Sequence, residues 1–266
     1  MLEKLELGNL TTVATISTEI RELTVGNPLL PTVVVCIPAY NEETRIGSVV
    51  QEARKFARHV IVCDDGSGDR TAGEATDSGA FVLRHDRNEG KGAALRSLLG
   101  LARKLSPDVI ITLDADGQHD PSDIPTLVTP ILDGSADVVI GSRFGFGNKI
   151  PIYRKVGNSI LTTLTNMTAK TKVQDTQSGF RAYSSKVISS ITINRNGMGV
   201  DSEILIKAAK GGFKIEEKNV SVKYEGETST FNPVSHTLRV VWSLLRADGF
   251  TSRLLRKREK KSHQFR

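Results

Sequence analysis

The sequence predicts an α/β fold with a mostly parallel central sheet that is flanked by helices. Three observations predict it. Short apolar runs alternate with segments of helical periodicity from Val33 to Ile140. The apolar runs are nearly continuous, as in strands that are buried on both faces. Acidic residues and glycines directly follow several of the runs, and this edge is where open α/β sheets bind their ligands.

Five apolar runs have the length and the boundaries of strands. They are Val33–Ile37, Val60–Cys63, Phe81–Leu83, Val109–Leu113 and Val138–Ile140. Helical patterns fill the intervals between them, at about residues 46–57, 69–78, 94–102 and 121–132. Because a helix separates each strand from the next, the strands are expected to run parallel.

After Gly141 the pattern loosens. We expect helices near Val156–Met167 and Glu203–Lys210, and a strand within Lys214–Tyr224. We divide the chain into an N-terminal extension (residues 1–30), a main domain (31–230) and a C-terminal amphipathic helix with a basic tail (231–266).

The composition is that of a soluble globular protein, with 266 residues, 38% hydrophobic and 25% charged. Cys36 and Cys63 lie in apolar runs, which predicts buried free thiols and a reducing compartment. Neither a signal segment nor an apolar run of about 18 residues is evident. We therefore expect a cytoplasmic protein with at most peripheral contact with the cytoplasmic face of a membrane.

The net charge of +6 is concentrated at the C-terminus, where Ser252–Arg266 holds seven Lys or Arg and one Glu. Upstream, Leu238, Val241, Leu245 and Phe250 follow an approximately helical apolar face. Two interpretations remain: a solvated end, or a basic amphipathic helix at a membrane surface. Nucleic acid is not an expected partner, because the tail lacks interleaved aromatic residues.

Two carboxylates, Asp114 and Asp116, follow the fourth apolar run. Mg²⁺ usually binds one or two protein carboxylates together with phosphate oxygens, so this spacing suits Mg²⁺ or Mn²⁺ carrying a diphosphate. The alternative is an acidic turn that caps the helix beginning at Pro121.

The first strand is followed by Pro38-Ala39-Tyr40-Asn41-Glu42. Such a turn suits a nucleoside, because an aromatic ring can stack on a base and an acid can accept from base or ribose donors. The alternative is helix capping by Asn41, with the acids favouring the helix dipole.

The second strand ends in Asp64-Asp65-Gly66-Ser67, which suits base or ribose recognition or a plain turn. No P-loop or dinucleotide fingerprint is present. Lys91 opens the third helix, the one that follows the third strand. A cation there opposes the helix dipole, and an anionic ligand would explain it.

Taken in order, these segments resemble the inverting family 2 glycosyltransferases of GT-A fold, and among them dolichol-phosphate mannosyltransferases and other polyprenyl-phosphate sugar transferases. The resembling segments are 38–42, 64–67, 88–92, 114–119, 141–143 and 175–181.

The resemblance implies a role for each matching residue. The residues that would contact the nucleoside are Pro38, Tyr40, Glu42 and Asp65. Those that would hold the metal and the diphosphate are Asp114, Asp116 and Gln118. Arg143 and Arg181 would contact the phosphates or the acceptor.

The resemblance implies an enzyme that passes one sugar from a nucleoside diphosphate sugar, such as GDP-mannose or UDP-glucose, to a polyprenyl or dolichyl phosphate. The metal ion held by Asp116, together with Arg143, would stabilise the charge on the leaving diphosphate. A hydroxyl acceptor would need a general base, for which Asp201 and Glu203 are candidates, whereas a phosphate acceptor needs none. A soluble hydroxyl acceptor and a nucleotide-sugar-binding partner protein are the alternatives. No Q-x-x-R-W motif is present, which argues against processive polymer synthesis.

Overall fold

The computed structural model describes residues 31–144 and 152–223, except for the side chains of residues 152–158 and 160. The N-terminal extension, the C-terminal helix and tail, and most of the glycine-rich stretch after Arg143 lie outside these residues. In the described chain the strands form a single seven-stranded sheet. Its strands are β1 (Val33–Ala39), β2 (His59–Asp64), β3 (Phe81–Arg84), β4 (Val109–Thr112), β5 (Val138–Ser142), β6 (Arg181–Ser184) and β7 (Ile215–Asn219).

Seven α-helices connect these strands in the described part of the chain. They are α1 (Ile46–Ala53), α2 (Thr71–Asp77), α3 (Lys91–Ala102), α4 (Ile124–Leu132), α5 (Ile152–Ala169), α6 (Ser185–Ser190) and α7 (Val200–Lys210). A turn of 3₁₀ helix, Pro121–Asp123, precedes α4, and its proline occupies the first-turn position that favours a helix start. Within the described residues, no helix is both long and apolar enough to cross a bilayer.

The strand order is β3-β2-β1-β4-β6-β5-β7. The pairs among β1 to β4 are parallel, and so is the pair β5 and β7, which confirms the predicted, mostly parallel sheet. The exception is β6, which runs antiparallel to both β4 and β5. The sequence pattern does not separate β6 and α6 from the residues around them, and the final strand occupies only Ile215–Asn219 of the expected segment Lys214–Tyr224.

The sheet is buried on both faces, as its continuous apolar runs predicted. Val35 and Ile37 pack with the helices α1 and α4 on one face, whereas Val34 and Cys36 pack with α3 and α7 on the other. Burying each such side chain fully contributes about 1.5–3 kcal/mol. Cys36 and Cys63 are buried and free, as predicted.

The antiparallel strand β6 determines how the site is assembled. Thr112 near the end of β4 and Ile140 near the end of β5 both pair with Arg181, the first residue of β6. The segment that enters β6 therefore meets the carboxyl ends of its neighbours. This brings residues 175–180 to the edge where Asp114 and Asp116 lie.

Candidate active site

The loops after β1 and β2 are tied together by hydrogen bonds. The Asn41 side chain accepts from the Gly68 N–H at 3.0 Å, and the Asn41 N–H donates to the Ser67 hydroxyl at 2.9 Å. The N-cap of α1 is instead Arg45, which makes no capping hydrogen bond with its side chain. The helix-capping alternative for Asn41 is therefore wrong, because its side chain is used to join the two loops.

The residues predicted to contact a nucleoside lie along this pair of loops. Tyr40 is 43% exposed, so a ring face is accessible to a ligand. Pro38 is half-buried near the end of β1 and lies opposite Cys63 of β2. The Glu42 N–H donates to the Thr71 hydroxyl at 2.8 Å, which fixes the backbone of the first loop against the start of α2.

Asp65 is used differently from what the sequence suggested. It is only 3% exposed, and its carboxylate accepts from the N–H groups of Glu89 at 3.0 Å and Gly90 at 2.7 Å. His85 Nδ1 lies 2.7 Å from the same carboxylate, and its Nε2 lies 3.0 Å from the Ser97 hydroxyl. Asp65 therefore fixes the turn that leads into α3.

Lys91, the first residue of α3, joins two acids that are far apart in the sequence. Its Nζ lies 2.7 Å from Asp114 Oδ1 and 3.1 Å from Asp201 Oδ2. Burial alone would lower the pKa of the ammonium, but the two carboxylates outweigh it and hold that pKa above its usual value. The anion we expected opposite this helix terminus is thus provided by the chain itself.

Asp114 and Asp116 differ in charge environment although they are two residues apart. Burial would raise the pKa of Asp114, but Lys91 outweighs it and holds that pKa below the usual range. The pKa of Asp116 is raised by burial and by the charge of Asp114. Burial and the Asp116 charge raise the pKa of Glu42 as well, so the acids after β1 and β4 belong to one electrostatic cluster.

The Gln118 backbone N–H donates to Asp116 Oδ1 at 3.0 Å, which turns the chain directly after the two carboxylates. The Gln118 carbonyl accepts from the Lys223 N–H at 2.8 Å. These bonds place Gln118 beside Asp116, as a third oxygen ligand would require.

Arg143 is held in a bidentate ion pair with Asp175. Its Nε lies 2.7 Å from Asp175 Oδ2 and its Nη2 lies 2.8 Å from Oδ1, while its backbone N–H donates to Oδ2 at 3.1 Å. The Asp175 N–H donates in turn to Glu217 Oε1 at 2.9 Å. The sequence identified Arg143, but it gave no role to Asp175 or Glu217, whose positions become meaningful only once β5, β6 and β7 are adjacent.

His119 lies between these groups and the core. It is buried, its ring is 5.3 Å from that of Phe180, and its Nδ1 has no hydrogen-bond partner among the described residues. Burial, followed by the charge of Arg143, lowers the pKa of His119 to about 4. The imidazole is therefore neutral at physiological pH.

Gly179 packs directly against the Asp114 carboxylate. Its carbonyl accepts from the Thr112 hydroxyl at 2.9 Å, which holds the segment before β6 against the end of β4. A Cβ at Gly179 would lie 2.2 Å from Asp114 Oδ2, so only glycine lets the backbone approach the carboxylate this closely. A glycine in a resembling segment was visible in the sequence, but its partner was not.

Arg181 requires a correction. It is fully buried, and its Nε, Nη1 and Nη2 donate to the carbonyls of Ser178, Asp201 and Thr176, each at 2.7 Å. These three donors are directed at the backbone, so Arg181 is not placed to contact a phosphate or an acceptor. It fixes the segment before β6 and joins it to α7.

Glu203 also requires a correction. Its carboxylate accepts from the N–H groups of Asn194 and Arg195, each at 3.0 Å, and pairs with Lys207 at 2.7 Å. Burial would raise its pKa, but Lys207 and the two N–H donors outweigh it and hold that pKa below the usual range. A carboxylate in this environment is a poor general base, and Glu203 instead anchors the loop before α7.

The remaining donor set fits a divalent cation. Asp114, Asp116 and Gln118 offer hard oxygen atoms, and burial and the charge of Asp114 raise the pKa of Asp116, so a cation between the two carboxylates would favour their ionised form. Within residues 31–144 and 152–223, no three acidic, histidine or cysteine side chains are grouped to hold a metal ion by themselves. The set therefore suits a metal ion whose remaining ligands come from a diphosphate and water.

Residues 34–192 match the family model of glycosyl transferase family 2. The chain belongs to this family. The match covers β1 from its second residue through β6, and so includes Asp114, Asp116 and the segment that enters β6, whereas Asp201 and Glu203 lie beyond it. It confirms the resemblance drawn from the ordered segments and establishes the chain as a glycosyltransferase.

Two relatives that the chain resembles act on dolichyl phosphate according to their names. A UDP-N-acetylglucosamine–dolichyl-phosphate N-acetylglucosaminyltransferase of Methanococcus voltae is 32% identical over 71% of this chain and 84% of its own length. A dolichyl-phosphate hexose transferase of Haloferax volcanii is 31% identical over 75% of this chain and 86% of its own length.

Among solved structures, the family 2 chain is similar to glucosyl-3-phosphoglycerate synthase of Mycobacterium tuberculosis, crystallised with Mn²⁺, UDP-glucose and phosphoglyceric acid. The TM-score is 0.65 at 26% identity, over 86% of this chain and 82% of the other. This similarity confirms the GT-A fold.

Proposed function

We propose that this protein transfers one hexose, mannose or glucose, from a nucleoside diphosphate sugar to a polyprenyl or dolichyl phosphate, with inversion at the anomeric carbon. The observation that carries the proposal is that both candidate general bases, Asp201 and Glu203, are already paired with other groups. Asp201 is paired with Lys91, and Glu203 is saturated by Lys207 and two N–H groups. An acceptor that is already an anion near neutral pH needs no base.

The positive groups at this edge suit a phosphate acceptor and a diphosphate leaving group. Asp175 holds the Nε and Nη2 edge of the Arg143 guanidinium and so orients it, and the positive charge of this group suits a phosphate oxygen. Asp114, Asp116 and Gln118 would hold Mg²⁺ or Mn²⁺, which when bound neutralises charge on the leaving diphosphate. Tyr40 and Glu42 would orient the nucleoside from the loop after β1.

The names of the dolichyl-phosphate relatives support the acceptor, and that of the Methanococcus voltae enzyme adds UDP-N-acetylglucosamine to the donors to be tested. The direct assay incubates the protein with Mn²⁺, a polyprenyl phosphate and a radiolabelled donor: GDP-mannose, UDP-glucose or UDP-N-acetylglucosamine. We expect label in the organic phase with one donor, and its loss on chelation of the metal.

Asp116→Asn is expected to abolish transfer, and Asp77→Asn, at an exposed acid on α2, is the matched control. Full transfer by Asp116→Asn would refute the role of this carboxylate. Absence of label from the lipid phase with every donor, together with transfer to a soluble compound, would refute the lipid acceptor.

A soluble acceptor is the second candidate, and one observation favours it. The structurally similar synthase was crystallised with phosphoglyceric acid, a soluble compound that carries a phosphate. Adding phosphoglyceric acid to the same assay would move the label into an anionic, water-soluble product if this candidate is correct.

We also propose that the protein works at the cytoplasmic face of a membrane and docks there through residues 231–266, which lie outside the described residues. Basic residues near anionic lipid contribute about 1 kcal/mol each. Co-sedimentation with vesicles containing phosphatidylserine, but not with neutral vesicles, tests this. Equal sedimentation with both would refute electrostatic docking.

A further inference from the structure

We infer that the Lys91 ammonium belongs to the metal site and pairs with both Asp114 and Asp201. The balance between these two pairings sets how strongly a divalent ion binds to Asp114. The inference rests on the proposed metal-dependent function and deepens it. Lys91 Nζ is 2.7 Å from Asp114 Oδ1 and 3.1 Å from Asp201 Oδ2, so one ammonium serves two carboxylates. A metal ion that approaches Asp114 must share this oxygen with the ammonium or displace it.

The ammonium is held within reach of Asp114 by its backbone. Gly90, the residue before Lys91, donates its N–H to Asp65, and the Gly92 N–H donates to the Asn196 carbonyl at 2.7 Å. A Cβ at Gly92 would lie 2.1 Å from the Arg195 carbonyl oxygen, so α3 begins in direct contact with the loop before α7. The first turn of α3 is therefore anchored on two sides.

Asp114 is confined in the same way. Gly179 packs directly against its carboxylate on one side, and Lys91 occupies the other. Because the backbone on both sides of Lys91 is anchored and Gly179 packs against Asp114, the torsions of the Lys91 side chain are the simplest way for the ion pair to change. The metal ion and the Lys91 ammonium therefore compete for one carboxylate, and no loop needs to move.

The charges indicate how the competition works. Asp114 and Asp116 would offer a bare metal ion two negative charges, but Lys91 neutralises one of them. A donor diphosphate brings negative charge of its own and gives the ammonium another anion to pair with. We therefore expect Mn²⁺ to bind weakly alone and more tightly together with a nucleoside diphosphate. Asp201 is a positioning residue in this scheme, because it draws Lys91 away from Asp114.

The test measures binding of Mn²⁺ alone to the full chain, through the electron paramagnetic resonance signal of the free ion, with no turnover involved. Lys91→Met is expected to bind Mn²⁺ at least about tenfold more tightly than the wild type, the lower end of effects reported for groups next to metal ligands. Asp201→Asn is expected to bind it about tenfold more weakly. Lys55→Met, at a lysine whose side chain is 63% exposed, is the matched control.

A double variant separates the mechanism from a general effect of charge. If Asp201 acts through Lys91, Asp201→Asn should change Mn²⁺ binding by less than about twofold in the Lys91→Met background. An equal effect in both backgrounds would overturn the inference, and so would Lys91→Met binding Mn²⁺ like the wild type. Lys91→Arg, which keeps the charge, should stay close to the wild type.

Folding of each variant is checked by thermal unfolding, and Lys91→Gln replaces Lys91→Met if the latter does not fold. Repeating the titration with UDP or GDP, each against a protein-free titration with the same nucleotide, distinguishes failure of the proposed metal dependence from failure of the role of Lys91. A wild type that binds no Mn²⁺ even with either nucleotide would refute the proposed metal dependence. A wild type that binds Mn²⁺ with nucleotide, beside variants that do not differ from it, would refute the role of Lys91 alone.

Discussion

Replacing Arg181 with lysine tests whether this residue supports the fold or contacts a ligand. The variant keeps the positive charge but loses the planar set of donors, which an ammonium on a flexible stem cannot reproduce. In the native protein three backbone carbonyls, each 2.7 Å from a guanidinium nitrogen, depend on this side chain. The surroundings are fully buried, so water cannot easily replace the missing donors.

The magnitude follows from these three bonds. An ammonium at this position can reach one carbonyl well and leaves two unpaired, and each unpaired buried group costs about 1–3 kcal/mol. We therefore expect Arg181→Lys to lower the free energy of unfolding by at least about 2 kcal/mol. With a urea m-value of about 1–3 kcal/mol/M, the unfolding midpoint falls by roughly 1 M.

Urea unfolding followed by circular dichroism measures the effect, and Arg70→Lys is the matched control. The Arg70 side chain is 72% exposed, so its replacement should change the free energy of unfolding by less than about 0.5 kcal/mol. If Arg181→Lys unfolds like the wild type while its KM for donor or acceptor rises, the structural role that we assign to Arg181 is wrong.

Three further predictions concern the other residues around the site. Asp175→Asn removes the charge that orients Arg143, so we expect kcat to fall about tenfold or more, and an unchanged kcat would contradict this positioning role. Glu203→Gln should destabilise the protein at pH 7. Because the pKa of Glu203 is lowered in the folded state, its contribution to the free energy of unfolding is complete above about pH 4.3 and is lost as the pH falls through the folded-state pKa. The difference in stability between variant and wild type should therefore narrow in acid unfolding curves. Gly179→Ala places a methyl group against Asp114 and should cost about 1–3 kcal/mol of stability and weaken Mn²⁺ binding with nucleotide, whereas wild-type behaviour in both measurements would refute the close approach.

Most of the sheet could be predicted because its strands are buried on both faces and therefore appear as continuous apolar runs. The same reasoning missed β6, whose four residues include Arg181 and Ser184. Its identity as a strand comes from pairing with β4 and β5, which precede it by many residues. The local hydrophobic pattern of the sequence does not reveal such pairing.

The site was predictable to the extent that it lies at strand ends. Asp114, Asp116 and Glu42 come together because β1 and β4 are adjacent, and Lys91 was recognised by its unfavourable place at a helix N-terminus. Its partner Asp201 lies 110 residues further on, so no local signal could identify it.

The arginines show a second limit. Arg143 and Arg181 are the same residue type in segments that resemble the same family. One pairs with a carboxylate near the edge of the site and the other is enclosed by backbone carbonyls. Only the depth of burial and the identity of the acceptors separate the two roles, and both are properties of the assembled fold.

The position of β6 has a consequence for how this protein reaches its active form. The strands β3, β2, β1 and β4 can pair in a unit built from consecutive segments, whereas β6 must insert between β4 and β5 after a connection of many residues. Such long-range pairing is entropically costly and slow. Gly179, which packs against Asp114, and Asp175, which orients Arg143, come into place only when β6 docks. A folding intermediate that contains only the first four strands would hold Asp114 and Asp116 without these contacts. We therefore expect catalytic competence to require the docking of β6, so that a chain in which β6 has not docked does not bind its donor productively.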